Sequence, residues 1–133
     1  LFCHEKDGKL QESAVLFYLS GRSPRKAIAA ETNRFIFLDG TIEDLGKGIP
    51  AAQMPVISDN YSKYIGWKGQ GEIPAEKLEK MREYIRQTHA EGKLFRWWGA
   101  PDTPLFKKFF IKEKVDLIGA DDLKALSLIL QNP

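Results

Sequence analysis

Polar side chains recur in this sequence just after short apolar runs. Asp39 follows the run at 34–38, Ser58 follows the run at 54–57, and Asp121 follows the run at 115–118. Two arginines have similar positions, with Arg22 just after the run at 14–19 and Arg96 inside the run at 94–98. Carboxylates and hydroxyls can hydrogen-bond a polar ligand, and guanidinium groups bind phosphate bidentately. The spacing predicts a polar, anion-binding site if the ends of these runs meet in space.

Arg96 is the most informative of these residues, because it interrupts an apolar run. In an extended strand alternate side chains share a face, so Arg96 lies on the same face as Leu94 and Trp98. A buried arginine must be paired or must face a polar cavity. We therefore predict that Arg96 and Trp98 line a pocket for an anionic or phosphate-bearing ligand. Trp97 has the opposite parity and is predicted to pack beneath helices.

A structural interpretation also fits several of these residues. Serine and aspartate commonly cap helices, and for Asn60 and Asp122 the cap interpretation is favoured. Asp39 with Gly40 also fits a simple turn, and a lone arginine such as Arg22 also fits a solvated surface position. Neither histidine has a carboxylate or a second histidine at metal-ligand spacing. The sequence therefore predicts neither a metal site nor a catalytic histidine.

The elements that would position these residues are strands alternating with helices. Strands are predicted at 14–19, 34–38, 54–57, 94–98 and 115–118, where short apolar runs are typical of strands covered on both faces. Helices are predicted at 24–31 and 74–91 and from 104 and 123 onward, with a short helical turn at 42–45 in which Asp44 completes a capping box with Thr41. This alternation predicts an α/β fold with a parallel sheet. In such folds ligands bind at the carboxyl ends of the strands.

Composition excludes several classes. Lys+Arg 20 against Asp+Glu 18 leaves a net charge of +2, and no basic tract occurs, so nucleic-acid binding is not predicted. One cysteine excludes an internal disulfide framework, and we predict no transmembrane segment. Because the chain begins at Leu1, we expect a processed product or one piece of a longer polypeptide.

The stretch LFRWWGAPDTPLFKKFFIKEKVDLIGADDL (94–123) resembles the closing segment of the glycerophosphodiester phosphodiesterase and phosphatidylinositol-specific phospholipase C-like superfamily. Three upstream stretches resemble successive strand-end motifs of its bacterial branch: YLSGRSP (18–24), FLDGTIEDLGKG (37–48) and MPVISDNYSKYIGW (54–67). The chain departs from the pattern at Ala120, where threonine is usual, and at Lys114, where glycine is usual.

The resemblance implies that residues 1–133 form the C-terminal half of a (β/α)8 TIM barrel, roughly its last four strand–helix units, with no second domain. It implies part of a phosphoric diester hydrolase that acts on glycerophosphodiester or phosphoinositide-type substrates. A divalent cation, Ca²⁺ or Mg²⁺, and the catalytic residues would belong to the first half of the barrel. This half would line the substrate side of the pocket through Arg22, Asp39, Ser58, Arg96, Trp98 and Asp121. The expected partner is the missing half or a second copy, and a secreted or periplasmic location is compatible with the resemblance.

Two other interpretations remain open. The first is a noncatalytic module that binds a sugar or a headgroup through the aromatic side chains of Tyr61, Trp67, Trp97 and Trp98. The second is a self-contained domain with a flavodoxin-like open sheet, which is disfavoured because no strand end carries a Gly-rich phosphate loop.

Overall fold

A five-stranded parallel sheet is the centre of the structure, a computed structural model that describes residues 1–131. An antiparallel hairpin, β1 (His4–Lys6) and β2 (Lys9–Gln11), precedes the sheet. The parallel strands are β3 (Phe17–Leu19), β4 (Ile36–Gly40), β5 (Val56–Asn60), β6 (Leu94–Trp98) and β7 (Leu117–Ile118). They lie side by side in chain order, and the sheet curls like part of a barrel wall. The predicted α/β class with parallel strands is confirmed.

Helices fill the connections between the strands. They are α1 (Arg25–Ala30), α2 (Tyr61–Tyr64), α3 (Ala75–Ala90), α4 (Pro104–Lys112) and α5 (Leu123–Gln131), with a 3-10 turn at Ile42–Asp44. The long helix predicted at 74–91 is confirmed as α3, and Gly92 follows it with φ +68, as expected for a helix stop. Thr103 caps α4 by accepting a hydrogen bond from the Phe106 amide.

One face of the sheet carries the hydrophobic core. Leu38, Ile57, Phe95 and Trp97 project from this face and pack against apolar side chains of α1 to α4. Trp97 is only 3% exposed, which confirms that it packs beneath the helices. Because neighbouring strands follow one another in sequence, right-handed crossovers place successive helices on the same side. We call this helix-covered side the outer face and the opposite side the inner face.

The inner face carries a different set of side chains. In the sheet register, Asp39 pairs with Val56 and Ser58 pairs with Arg96. Because alternate residues of a strand share a face, Trp98 lies on the inner face with these side chains. Phe37 and Val56 are fully buried there, toward the amino ends of the strands, whereas the polar groups lie toward the carboxyl ends. A flavodoxin-like sheet requires a reversal of strand order, which the described strands do not have. That interpretation is therefore wrong.

Several predicted strands differ from the observed ones. The third extends over Val56–Asn60 instead of 54–57, because its pairing with β6 continues as far as Asn60 and Trp98. The first shortens to Phe17–Leu19 and the last to Leu117–Ile118. The prediction that both faces of the first strand are covered is wrong: Phe17 is half exposed, because β3 lies at the edge of the sheet without a helix over it.

The segment before the parallel sheet forms a tight hairpin. Asp7 and Gly8, which connect β1 to β2, both have positive φ values, as a two-residue hairpin turn requires. Glu5 is buried and accepts hydrogen bonds from the Gly8 and Asn33 amides, which anchors the hairpin beside the start of β4. Residues 1–3 also run parallel to the chain at Val15 and hydrogen-bond to it.

Candidate functional site

Asp39 is the centre of a polar cluster at the carboxyl ends of three adjacent strands. Ser20 Oγ donates a hydrogen bond to Asp39 Oδ2 over 2.5 Å, and Ser58 Oγ donates to both carboxylate oxygens over 2.7 and 2.8 Å. Ser20 directly follows β3, Asp39 lies in β4 and Ser58 lies in β5. The carboxylate therefore links three neighbouring strands, and its own orientation is fixed by both serines.

The environment of Asp39 opposes its negative charge. Burial raises the pKa of the Asp39 carboxyl, although the serine hydrogen bonds and the positive charges of Arg96 and Arg25 act in the opposite direction. The two serine hydroxyls hold this partly buried carboxylate in a fixed orientation at the cavity wall.

Arg96 lies next to this cluster on the inner face. It pairs in register with Ser58 on β5 and with Leu117 on β7, and it is partly buried. Its positive charge lowers the pKa of Asp39, yet it forms no ion pair with any residue in the part of the chain that the structure describes. Among residues 1–131, its strongest charge interaction is thus the longer-range one with Asp39.

A cavity of ≈ 580 Å³ contains these groups. Its wall combines acidic, arginine and hydroxyl side chains with one indole and two glycines. The lining residues are Ser20, Gly21, Arg25, Asp39, Gly40, Thr41, Ser58, Asp59, Arg96 and Trp98. Trp98 is 46% exposed, so its ring offers an apolar platform beside the polar cluster. The volume is in the range of small-molecule sites.

Arg25 is a cavity residue that sequence reasoning missed. It projects from the start of α1, and its guanidinium forms a bidentate pair with Asp44 over 2.7 and 3.2 Å. The same guanidinium lies 3.4 Å from the Asp39 carbonyl oxygen. The predicted capping box is present, because Asp44 also accepts from the Thr41 amide over 2.9 Å. Arg25 lies in the same connection after β3 as Arg22, and nothing in the sequence indicated which of the two arginines would reach the cavity.

Two further carboxylates hold the 3-10 turn that carries Asp44. Asp59 accepts a hydrogen bond from the Ile42 amide over 3.1 Å, and Glu91 accepts one from the Gly46 amide over 2.7 Å. Glu91 also pairs with Lys93, whose side chain is fully buried. Each carboxylate oxygen of Asp59 accepts a hydrogen bond from a backbone amide. Asp59 is therefore not a helix cap, and its carboxylate is not available to a ligand. Its function is to position the turn.

A second cavity of ≈ 370 Å³ adjoins the first and shares Arg96 and Trp98 with it. Asp121 lies in its wall, and the Asp121 amide donates to Asp102 over 2.8 Å. The other oxygen of Asp102 pairs over 2.5 Å with Lys107, a nearly buried lysine of α4. This network fixes the loop after β7 against the loop after β6.

The structure thus brings four predicted site residues to one cavity and separates two from it. Asp39, Ser58, Arg96 and Trp98 line the larger cavity, whereas Asp121 lines only the neighbouring one. Arg22 is exposed and lines neither. The favoured cap interpretations are confirmed, since Asn60 accepts from two amides of α2 and Asp122 accepts from the Ala125 amide.

The histidines lie away from this site. His89, at the end of α3, contacts Asp116 Oδ2 over 2.8 Å, and His4 stacks on Phe35. Within residues 1–131 no three His, Cys, Asp or Glu side chains are arranged to hold a metal ion. No helix in that range is long and apolar enough to cross a membrane. Comparisons with models of known families, with curated proteins and with solved structures find no match to this chain.

Proposed function

We propose that this chain is the C-terminal half of a (β/α)8 barrel phosphodiesterase and that it forms the substrate side of the pocket. A parallel sheet in chain order, with helices on its outer face, is the arrangement that a barrel wall requires. The cavity lies at the carboxyl ends of the strands, where barrel enzymes bind their ligands. The sequence resemblance supplies the class, a hydrolase of glycerophosphodiester or phosphoinositide-type compounds.

Arg96 is the single observation that carries this proposal. Its guanidinium forms no ion pair within residues 1–131 and lines both cavities, so a substrate phosphate would be its direct anionic partner. Asp39 would accept hydrogen bonds from the hydroxyls of a glycerol or inositol group, and the Trp98 ring would cover its carbon skeleton. The acid, the base and the ligands for Ca²⁺ or Mg²⁺ would come from the other half, since Asp39 and its serines do not fit a cation site.

Binding of a soluble glycerophosphodiester, followed by NMR titration, tests the proposal. Arg96→Ala should cost about 1.5–3 kcal/mol of binding, the contribution of a hydrogen bond to a charged group. Arg22→Ala is the matched comparison, because Arg22 is exposed and lies outside both cavities, and its effect should be much smaller. Equal losses in the two variants would mean that the phosphate is not bound at Arg96.

A second candidate is a noncatalytic module that binds a sugar or a headgroup. The exposed Trp98 ring at the cavity favours it, although Tyr61 and Trp97, which were predicted to share this task, are buried in the core. Free inositol and inositol phosphate separate a sugar-binding module from a site that recognises phosphate. A binding module for sugars would bind both equally well, whereas a phosphodiester site should strongly prefer the phosphorylated compound.

A further inference from the structure

We propose that the anionic group of the ligand binds in the smaller cavity, between Arg96 and Lys107, and not beside Asp39 in the larger one. The inference rests on the proposed function, which places a phosphate at Arg96, and it adds where that phosphate lies and which other residues bind it. Three features support it: hydrogen-bond donors without acceptors, the position of the Arg96 guanidinium and the burial of Lys107.

The polar side chains of the larger cavity already bind one another. Two serine hydroxyls donate to Asp39, and each oxygen of Asp59 accepts from a backbone amide. The Arg25 guanidinium forms its bidentate pair with Asp44. An anion beside Asp39 would therefore meet a like charge, and the serine hydroxyls there already have an acceptor.

The smaller cavity differs, because several of its donors lack acceptors. Trp97 lines it, and its Nε1 atom is buried without a hydrogen-bond partner among residues 1–131. Lys107 lines it too, and its ammonium carries more N–H groups than its ion pair with Asp102 uses. A buried donor without an acceptor is costly, so a ligand that supplies acceptor oxygens is favoured at this position.

The end of the Arg96 side chain lies at the same cavity. Its Nη2 atom is 3.9 Å from the point where a Cβ at residue 119 would stand. Gly119 lines the smaller cavity and not the larger one. Because Gly119 has no side chain, the space beside Nη2 is open to an oxygen of a phosphate, which guanidinium groups bind bidentately.

Two carboxylates also line the smaller cavity, and an anion need displace neither of them. One oxygen of Asp102 pairs with Lys107, and the other accepts from the Asp121 amide. The Asp121 side chain is exposed and forms no ion pair with Arg96 or Lys107. The donors of Arg96, Lys107 and Trp97 thus remain for the ligand.

Burial limits the occupant to a small group. Lys107 is 5% exposed and Trp97 is 3% exposed, so only a group that enters the cavity can reach their N–H groups. Both residues belong to interior elements, α4 and β6, and not to an edge strand. Trp98 lines both cavities. A phosphate in the smaller cavity therefore leaves its alcohol to pass the Trp98 ring into the larger one.

NMR titration of the chain with inorganic phosphate and with glycerophosphoinositol tests the proposal. The indole N–H signal of Trp97 should move downfield as it gains an acceptor, and Trp67→Phe and Trp98→Phe variants identify that signal. Lys107→Met should weaken binding of glycerophosphoinositol roughly tenfold, the loss of a hydrogen bond to a charged group. Lys108→Met is the matched control, because Lys108 is an exposed neighbour on α4 outside both cavities and should leave binding unchanged.

Gly119→Leu tests the position of the anion without a change of charge. A Cβ at residue 119 meets no atom closer than 3.9 Å, so the variant should fold, and its longer side chain should fill the space beside Arg96. We expect it to weaken binding of both probes roughly tenfold or more. It therefore keeps the proposal testable even if Lys107→Met lowers stability.

The outcomes separate this inference from the proposed function. If Arg96→Ala weakens binding but Lys107→Met and Gly119→Leu do not, and the Trp97 signal stays in place, the phosphate lies in the larger cavity. That result would overturn the inference and leave the proposed function intact. Glycerophosphoinositol that fails to bind, or that binds equally well to Arg96→Ala, would overturn the proposed function. Inorganic phosphate that still binds in a Lys107-dependent way would then support the anion site alone.

Discussion

Neighbouring tryptophans on β6 have opposite environments, and a pair of variants should separate their contributions. Trp97 is 3% exposed and contacts the Phe95 and Tyr61 rings edge-on, whereas Trp98 projects into the cavity. Trp97→Ala should lower the free energy of unfolding by roughly 3–5 kcal/mol, because it leaves a large void in the core. Trp98→Ala should cost less than about 1 kcal/mol.

Urea unfolding followed by circular dichroism measures both variants, and ligand titration provides the second readout. Trp98→Ala should weaken ligand binding despite its near-native stability. If Trp98→Ala proves the more destabilising of the two, the assignment of the inner and outer faces of β6 is wrong.

Asp44 should make the protein sensitive to acid. Its hydrogen bonds and ion pair with Arg25, together with the Thr41 amide, lower its pKa to about 2, against the opposing effect of burial. Because the folded pKa lies below the unfolded value, this stabilisation is complete above pH ~4 and is lost as the pH falls toward 2. At neutral pH it amounts to about 2 kcal/mol.

A comparison of Asp44→Asn with the wild type across this pH range measures the effect. The difference in unfolding free energy should be largest at neutral pH and should shrink toward zero near pH 2. Glu43→Gln is the matched control, because the Glu43 side chain is 76% exposed and should show no such trend. A constant difference between Asp44→Asn and wild type would contradict the linkage.

Arg96 and Arg25 mark the limit of sequence reasoning at the scale of single residues. Arg96 could be placed because a charge within an apolar strand is unusual and because parity defines its face. Arg25 could not, since its position depends on Asp44, a residue that reaches it through a separate turn. Tertiary contacts of this kind leave no periodic pattern in the sequence.

At the scale of elements, the helix caps differ in strength even though their residue types look alike. The Asn60 side chain accepts hydrogen bonds from the Ser62 and Lys63 amides over 2.9 and 3.3 Å, whereas the side chain of Ser23, just before α1, caps no amide of that helix. Asn60→Ala should therefore cost about 1 kcal/mol of stability, and Ser23→Ala much less. Thermal unfolding of the two variants measures the difference. A larger loss for Ser23→Ala would contradict the observed caps.

The accuracy of the element predictions follows the strength of local signals. Amphipathic spacing and a terminal glycine defined α3 almost to the residue, and β6 was predicted with its exact bounds. β5 was misplaced because Ser58, Asp59 and Asn60 look like loop residues, and only pairing with β6 makes them extended. The β1–β2 hairpin was missed for a related reason: its polar residues carry no alternating pattern, and its anchor, Glu5, is a buried charge.

At the scale of the whole molecule, we expect the chain alone to hydrolyse no phosphodiester. No histidine lines the larger cavity, and both of its carboxylates are already engaged: two serines donate to Asp39 and two backbone amides donate to Asp59. Assays with glycerophosphodiesters and Ca²⁺ or Mg²⁺ should give rates equal to a blank without protein. Metal-dependent turnover by the purified chain, abolished by Asp39→Asn, would contradict the half-barrel interpretation.

The order of the strands also has a consequence for how the chain folds. From β4 onward, each parallel strand is adjacent to the one synthesised just before it, so every pairing in the parallel sheet closes only the connection between consecutive strands. Loops of this length incur a modest entropic cost, and contacts of low sequence separation are associated with fast folding. A strand that leaves the ribosome therefore finds its neighbour already in place, and the sheet can grow from the amino terminus as the chain is made.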